Sequence, residues 1–101
     1  MSTWFGADDF SGLVGDVFEV VLRDGRLPLV LREVATTGVA GGRGPDGVAR
    51  EQFSLCFAGP AEPRLEQATW ELAHAGLGTL ALFLVPVGAG ADEVRYEAAF
   101  A

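Results

Sequence analysis

The feature that most constrains the fold is the dipeptide Asp24-Gly25, which stands between two apolar runs at residues 17–23 and 26–32. Asp-Gly is a preferred pair for two-residue hairpin turns, because both turn positions need a positive φ. A turn centred there pairs Val20 with Leu29 and places the apolar side chains of both runs on one face. The sequence therefore predicts a β-hairpin with one buried face.

Four further segments have the apolar patterns of strands, and turn residues separate them. Together with the hairpin, the predicted strands are residues 17–23, 26–32, 53–57, 67–74, 79–87 and 94–100. Their predicted inward side chains are Phe53, Leu55 and Phe57 in the third strand, Trp70, Leu72 and His74 in the fourth, and Val94, Tyr96, Ala98 and Phe100 in the sixth. Short strands in this number predict an all-β, six-stranded antiparallel barrel-like or sandwich domain that occupies residues 1–101.

The segments between these strands are predicted to be a short helix and irregular structure. Residues 8–15 fit one helical turn that Gly15 ends in the left-handed region, with Phe10 and Val14 facing an end of the β core. Residues 36–49 are rich in glycine and are predicted to form a loop. Residues 59–63 contain one glycine and two prolines and are predicted to break the chain after the third strand.

The fifth predicted strand is apolar on both faces, so both faces need cover. If Phe83 and Val85 pack in the core against the sixth strand, the alternate residues face outward. These interface candidates are Leu80, Leu82 and Leu84. Three leucines left in water would forgo roughly 5–9 kcal/mol of burial free energy. We therefore expect a second copy of the chain to cover them, or to pair along a free edge of the last strand.

The composition excludes several partners. The chain has seven arginines, no lysine and fourteen carboxylates, for a net charge of −7. Nucleic-acid binding and attachment to an anionic membrane both need a basic surface, so neither is expected.

The N-terminal residues show no signal-peptide pattern, and no apolar run reaches the roughly 18 residues of a spanning helix, which favours a cytoplasmic location. A single cysteine excludes an internal disulfide framework.

No motif predicts a catalytic, cofactor or metal site. Residues 42–47 match G-x-G-x-x-G, but a strand follows them instead of the helix that a dinucleotide site needs. His74 is the only histidine, which excludes a site of two or three histidine ligands within one chain. Cys56 lacks a second cysteine and a basic cluster that would activate it. A general base at His74, oriented by Glu71 or Glu66, is the remaining catalytic option.

Several segments together resemble a family of small bacterial proteins that is known as a domain of unknown function. The segments that carry the resemblance are residues 10–18, 53–60, 73–78, 82–87 and 96–100. The resemblance implies a small bacterial β domain whose genes lie near those of phage-tail-like proteins. It implies no catalytic residues.

These observations favour a non-catalytic structural or protein-interaction module that self-associates and requires no cofactor. Its partner is a second copy of the chain or another protein. The resemblance implies that the module belongs to a phage-tail-like assembly. One alternative is a barrel that binds a small apolar ligand. Its predicted cavity is lined by Phe53, Phe57, Trp70, Phe83 and Tyr96. The second alternative is an enzyme that uses His74 with a carboxylate.

Overall fold

The alternating segments of the sequence form six β-strands in the computed structural model, and one short helix precedes these strands. The structure describes residues 7–43 and 49–100, and it describes the side chains of residues 9–36 and 52–100. The elements are α1 (Ala7–Ser11), β1 (Val17–Leu22), β2 (Gly25–Arg43), β3 (Ala49–Pro60), β4 (Ala68–His74), β5 (Gly78–Ala89) and β6 (Glu93–Phe100). The all-β prediction with a short N-terminal helix is confirmed.

The six strands form a closed antiparallel barrel in the order β1-β2-β3-β6-β5-β4. The barrel closes where β1 pairs with β4, through Glu19 opposite Ala73 and Val20 opposite Leu72. β6 lies between β3 and β5 and pairs with both. The last strand is therefore not a free edge, which contradicts the expectation that a second copy pairs along it.

The inner faces of the strands form the core, and its members are buried and apolar. They include the predicted inward residues Phe53, Leu55, Phe57, Leu72, Val94, Tyr96 and Ala98. Phe10 of α1 is fully buried against Phe53 and Phe100, with ring centroids 5.9 and 5.6 Å away, so the helical turn covers one end of the barrel as predicted. Gly15 follows it with a φ of 98°. Val14 does not join the core, because it is 50% exposed.

The first hairpin forms in a register that differs from the prediction. Its observed pairs are Phe18–Leu29, Val20–Leu27 and Leu22–Gly25. The two turn residues are therefore Arg23 and Asp24, and positive φ values occur in the described ranges only at glycines. Asp24 thus lacks the positive φ that the predicted turn requires. Because the register differs by two residues, Val20 and Leu29 still share the buried face.

Pro28 gives a physical reason for this register. The Leu31 N–H donates to the Asp16 carbonyl oxygen at 3.0 Å, which makes that pair hydrogen-bonded. Hydrogen-bonded pairs alternate with non-hydrogen-bonded ones in an antiparallel ladder, so Pro28, opposite Glu19, falls at a non-hydrogen-bonded pair. In the predicted register Pro28 would lie at a hydrogen-bonded pair, where it has no N–H to donate.

The glycine-rich segment is mostly strand, which corrects the predicted loop at 36–49. β2 continues to Arg43 and β3 begins at Ala49, while residues 44–48 lie outside the described residues. Glycine keeps its backbone N–H and C=O groups, so the segment can still pair across to β3. The register shifts after Thr36 and again after Ala40, which places extra residues on β2.

β5 faces the opposite way from the prediction. Leu80, Leu82 and Leu84 are buried in the core of the chain, so they are not an exposed interface. The register with β4 explains this orientation. Leu72 points inward and lies directly opposite Leu80, and directly opposite residues share a face of the sheet. The alternate residues of β5, among them Phe83 and Val87, are therefore on the outside.

Candidate functional site

His74 is the last residue of β4, and its side chain points into the end of the barrel. Only 7% of the side chain is exposed. Its ring packs on the Phe18 ring of β1, with the centroids 4.5 Å apart. The alternation of β4, which turns Leu72 inward, places His74 on the same face two residues later. The predicted orientation of His74 is therefore observed.

Both ring nitrogens of His74 have hydrogen-bond partners. Nδ1 accepts the backbone N–H groups of Gly76 and Leu77 at 3.0 and 3.1 Å. Because a backbone N–H can only donate, Nδ1 carries no hydrogen, and Nε2 donates its own to Asp16 Oδ2 at 2.9 Å. The orienting carboxylate is therefore Asp16, not Glu71 or Glu66 as predicted. No lone pair of His74 is left to accept a substrate proton or to bind a metal.

Cys56 lies on the outer face of β3 beside a cluster of charged side chains. Glu93 links two arginines there, with Arg32 at 3.7 Å and Arg95 at 3.1 Å. Burial raises the pKa of the Cys56 thiol above its ordinary value, and Arg95 opposes the shift only in part. The thiol is thus protonated and weakly nucleophilic at neutral pH.

The interior does not form the predicted apolar ligand cavity. Phe53, Phe57 and Tyr96 are buried among core side chains, and the Tyr96 hydroxyl accepts the Leu65 N–H at 2.9 Å. Phe83 lies on the outside of the barrel, so the five predicted residues do not line one space. This corrects the cavity that the ligand-binding alternative required.

The described residues contain neither a cluster of metal ligands nor a helix that could span a membrane. Across residues 7–43 and 49–100, no three or more His, Cys, Asp or Glu side chains are grouped so that they could hold a metal ion. None of the helices in that part of the chain is long and apolar enough to cross a membrane. The G-x-G-x-x-G match at 42–47 falls largely outside the described residues.

The remaining candidate is an apolar surface on the outer face of β5, here termed the β5 outer stripe. Its members are Ala81, Phe83, Val85 and Val87. Phe83 is 50% exposed and Val87 is 54% exposed, while Val85 between them is half-buried. A register shift between Pro86 and Gly88 leaves Val87 unpaired with β6. The stripe can offer apolar contact area to another molecule, and it holds no catalytic group.

Carboxylates lie on both sides of the β5 outer stripe. On β4, Thr69 lies opposite Phe83 and Glu71 lies opposite Ala81. On β6, Glu97 lies opposite Val85. The sequence interpretation missed this surface because it assigned Phe83 to the core. The signal that could have found it is the short turn before β5, which fixes the register of β5 against β4.

Fold and surface together define a class of protein, a small closed antiparallel barrel with a buried apolar core and an apolar stripe on its outside. Within that class, the chain belongs to the family described as a domain of unknown function, DUF6916, whose profile matches residues 5–100. The resemblance to a domain of unknown function is thus confirmed at the level of the family. No curated protein and no solved structure matches the chain.

Proposed function

We propose that this chain is a non-catalytic protein-interaction module and that its contact surface is the β5 outer stripe. The observation that carries the proposal is the half-exposed pair Phe83 and Val87, on a strand whose other face is the buried core. Aromatic and branched apolar side chains that adjoin on one surface are typical of protein contact sites. They are not part of the core, to which β5 contributes Leu80, Leu82 and Leu84 from its inner face.

The chemistry of the other candidates supports the absence of catalysis. Both ring nitrogens of His74 are engaged in hydrogen bonds, and the Cys56 thiol is held in its protonated form. A general base needs a free basic lone pair and a cysteine nucleophile needs its thiolate form, and His74 and Cys56 do not offer these in this arrangement.

The partner is a second copy of the chain or another protein, and self-association stays a proposal. With the three leucines inside, the surface proposed for it is the β5 outer stripe. A bacterial origin and a role in a phage-tail-like assembly rest on the resemblance seen in the sequence. The cytoplasmic location likewise stays a prediction from the sequence.

The test is the mass in solution, measured by light scattering at high micromolar concentration. Val87→Asp places a charge in the stripe, and Val17→Asp is its matched control. Val17 is 49% exposed and lies on β1, outside the stripe. If a second copy binds the stripe, the wild type and Val17→Asp are dimers and Val87→Asp is a monomer.

Two results would contradict parts of this proposal. If Val17→Asp dissociates the dimer and Val87→Asp leaves it intact, the interface does not lie on the β5 outer stripe. A wild type that stays monomeric would exclude self-association, and another protein would then be the partner of the stripe.

A further inference from the structure

The charge around the β5 outer stripe is unbalanced. Glu71 and Glu97 are diagonal neighbours of Phe83, one on each adjacent strand, and long side chains reach across such diagonals. Neither carboxylate forms an ion pair within the part of the chain that the structure describes. Arg95 lies opposite the bulge formed by Val87 and Gly88, at one end of the stripe, and Glu93 pairs with it at 3.1 Å. The apolar stripe is thus flanked by unpaired negative charge.

This negative charge restricts the chemistry of any partner that buries Phe83. A contact that buries Phe83 also removes water from the flanking carboxylates, and a buried carboxylate without a cation is strongly unfavourable. A neutral apolar partner would therefore leave Glu71 and Glu97 unpaired in the contact. Two copies packed stripe to stripe would bring four carboxylates together, and the chain has no lysine and a net charge of −7. A partner with basic residues beside its apolar ones balances these charges.

We propose that the β5 outer stripe binds a segment of another protein in which an apolar side chain is flanked by arginine or lysine. This inference rests on the proposed function and adds the chemistry of the partner. Phe83 and Val87 supply the apolar contact. Glu71 and Glu97 select the basic flanks and disfavour a second copy of the chain, because unlike charges meet in the first case and like charges in the second.

The probe is a set of three ten-residue peptides that share alternating valines. The other positions are arginine in the first peptide, glutamine in the second and glutamate in the third. Each is titrated to millimolar concentration into the ¹⁵N-labelled full chain, and amide shifts locate the site. We expect the arginine peptide to shift the amides of residues 81–85 and of Val87. We also expect it to bind at least tenfold more tightly than the glutamine peptide, with an affinity that falls as salt is added.

Single substitutions test which residues of the β5 outer stripe and its flanks contribute to the affinity for the peptide. Phe83→Ser and Val87→Ser should each weaken the arginine peptide at least fivefold, and their amide spectra report whether the fold is intact. Glu71→Gln and Glu97→Gln should each weaken the arginine peptide about threefold or more and leave the glutamine peptide unchanged. Asp24→Asn is the matched control, because it removes one exposed charge at the β1–β2 turn. It should change neither affinity.

The outcomes separate the two proposals. If arginine and glutamine peptides bind the stripe equally well, the chemistry of the partner is wrong and the proposed function stands. If millimolar arginine peptide shifts no stripe amide, or if Phe83→Ser binds it as the wild type does, the inference is overturned. If the wild type is also monomeric, the proposed function is overturned with it. A wild-type dimer that Val87→Asp dissociates would show that the occupant is a second copy, and the inference would fail.

Discussion

Gly59 lies within β3 at a position where the core leaves little room for a side chain. Followed by Pro60, it predicts a break in the chain, yet it lies within β3 opposite Val94. It is buried, and a Cβ atom built on it would lie 2.5 Å from Leu29 Cδ2, inside the core. The missing side chain makes room for Leu29, so this glycine serves packing and not chain reversal.

We expect Gly59→Ala to lower the free energy of unfolding by about 1–3 kcal/mol, because the added methyl group overpacks the core at Leu29. Denaturant unfolding measures the change. Gly88→Ala is the control, since nothing lies within 4 Å of a Cβ built there. Equal midpoints for Gly59→Ala and the wild type would show that the core can make room for the methyl group.

At the scale of the element, β5 carries both the core and the candidate interface on opposite faces. Its leucines complete the barrel, and its outer residues form the stripe. Both faces are apolar, so the period-2 pattern of β5 does not distinguish inside from outside. The pairing of Leu80 with Leu72 makes the distinction, because β4 has only one apolar face.

Neighbouring residues of β5 should therefore respond very differently to the same substitution. Leu82→Ala should cost about 2–5 kcal/mol of stability, because it leaves a cavity in the core. Phe83→Ala should cost about 1 kcal/mol or less, because half of its side chain is in water. Thermal unfolding followed by circular dichroism compares the two variants. A larger loss for Phe83→Ala would reverse the assignment of the faces.

At the scale of the whole molecule, the barrel closes at a short seam that a side chain reinforces. β1 and β4 pair at two positions, whereas β3 and β6 pair at eight. The hydrogen bond from His74 Nε2 to Asp16 Oδ2 joins the end of β4 to the residue that precedes β1. The stack of His74 on Phe18 crosses the same seam. His74 is thus a structural clamp on the closure of the barrel.

Replacing His74 with Gln should lower the free energy of unfolding by about 1–2 kcal/mol, since it removes the stack and at least one hydrogen bond. Amide hydrogen exchange should accelerate at Val20 and Leu72 in the seam more than between β3 and β6. Nitrogen-15 spectra of the wild-type ring should show the hydrogen on Nε2. A hydrogen on Nδ1 would contradict the assigned hydrogen bonds, and uniform acceleration across all strands would contradict the clamp.

Local chemistry alone predicted the parts of this fold that depend on one segment at a time. The alternation around Phe57 and Tyr96 set which face of β3 and β6 is buried, because successive side chains of a strand point to opposite faces. Phe10 was likewise assigned to the core from its place in a short helical turn. These features need no knowledge of neighbouring strands.

Only the tertiary structure decided the features that depend on pairing. The register of the first hairpin follows from where Pro28 can lie in the ladder, and the orientation of β5 follows from its pairing with β4. The partner of His74 is Asp16, 58 residues away in sequence, which no local spacing indicates. Leu82 lies inside the barrel and Phe83 lies outside for the same reason. In a strand that is apolar on both faces, only a neighbouring strand determines which face is inside.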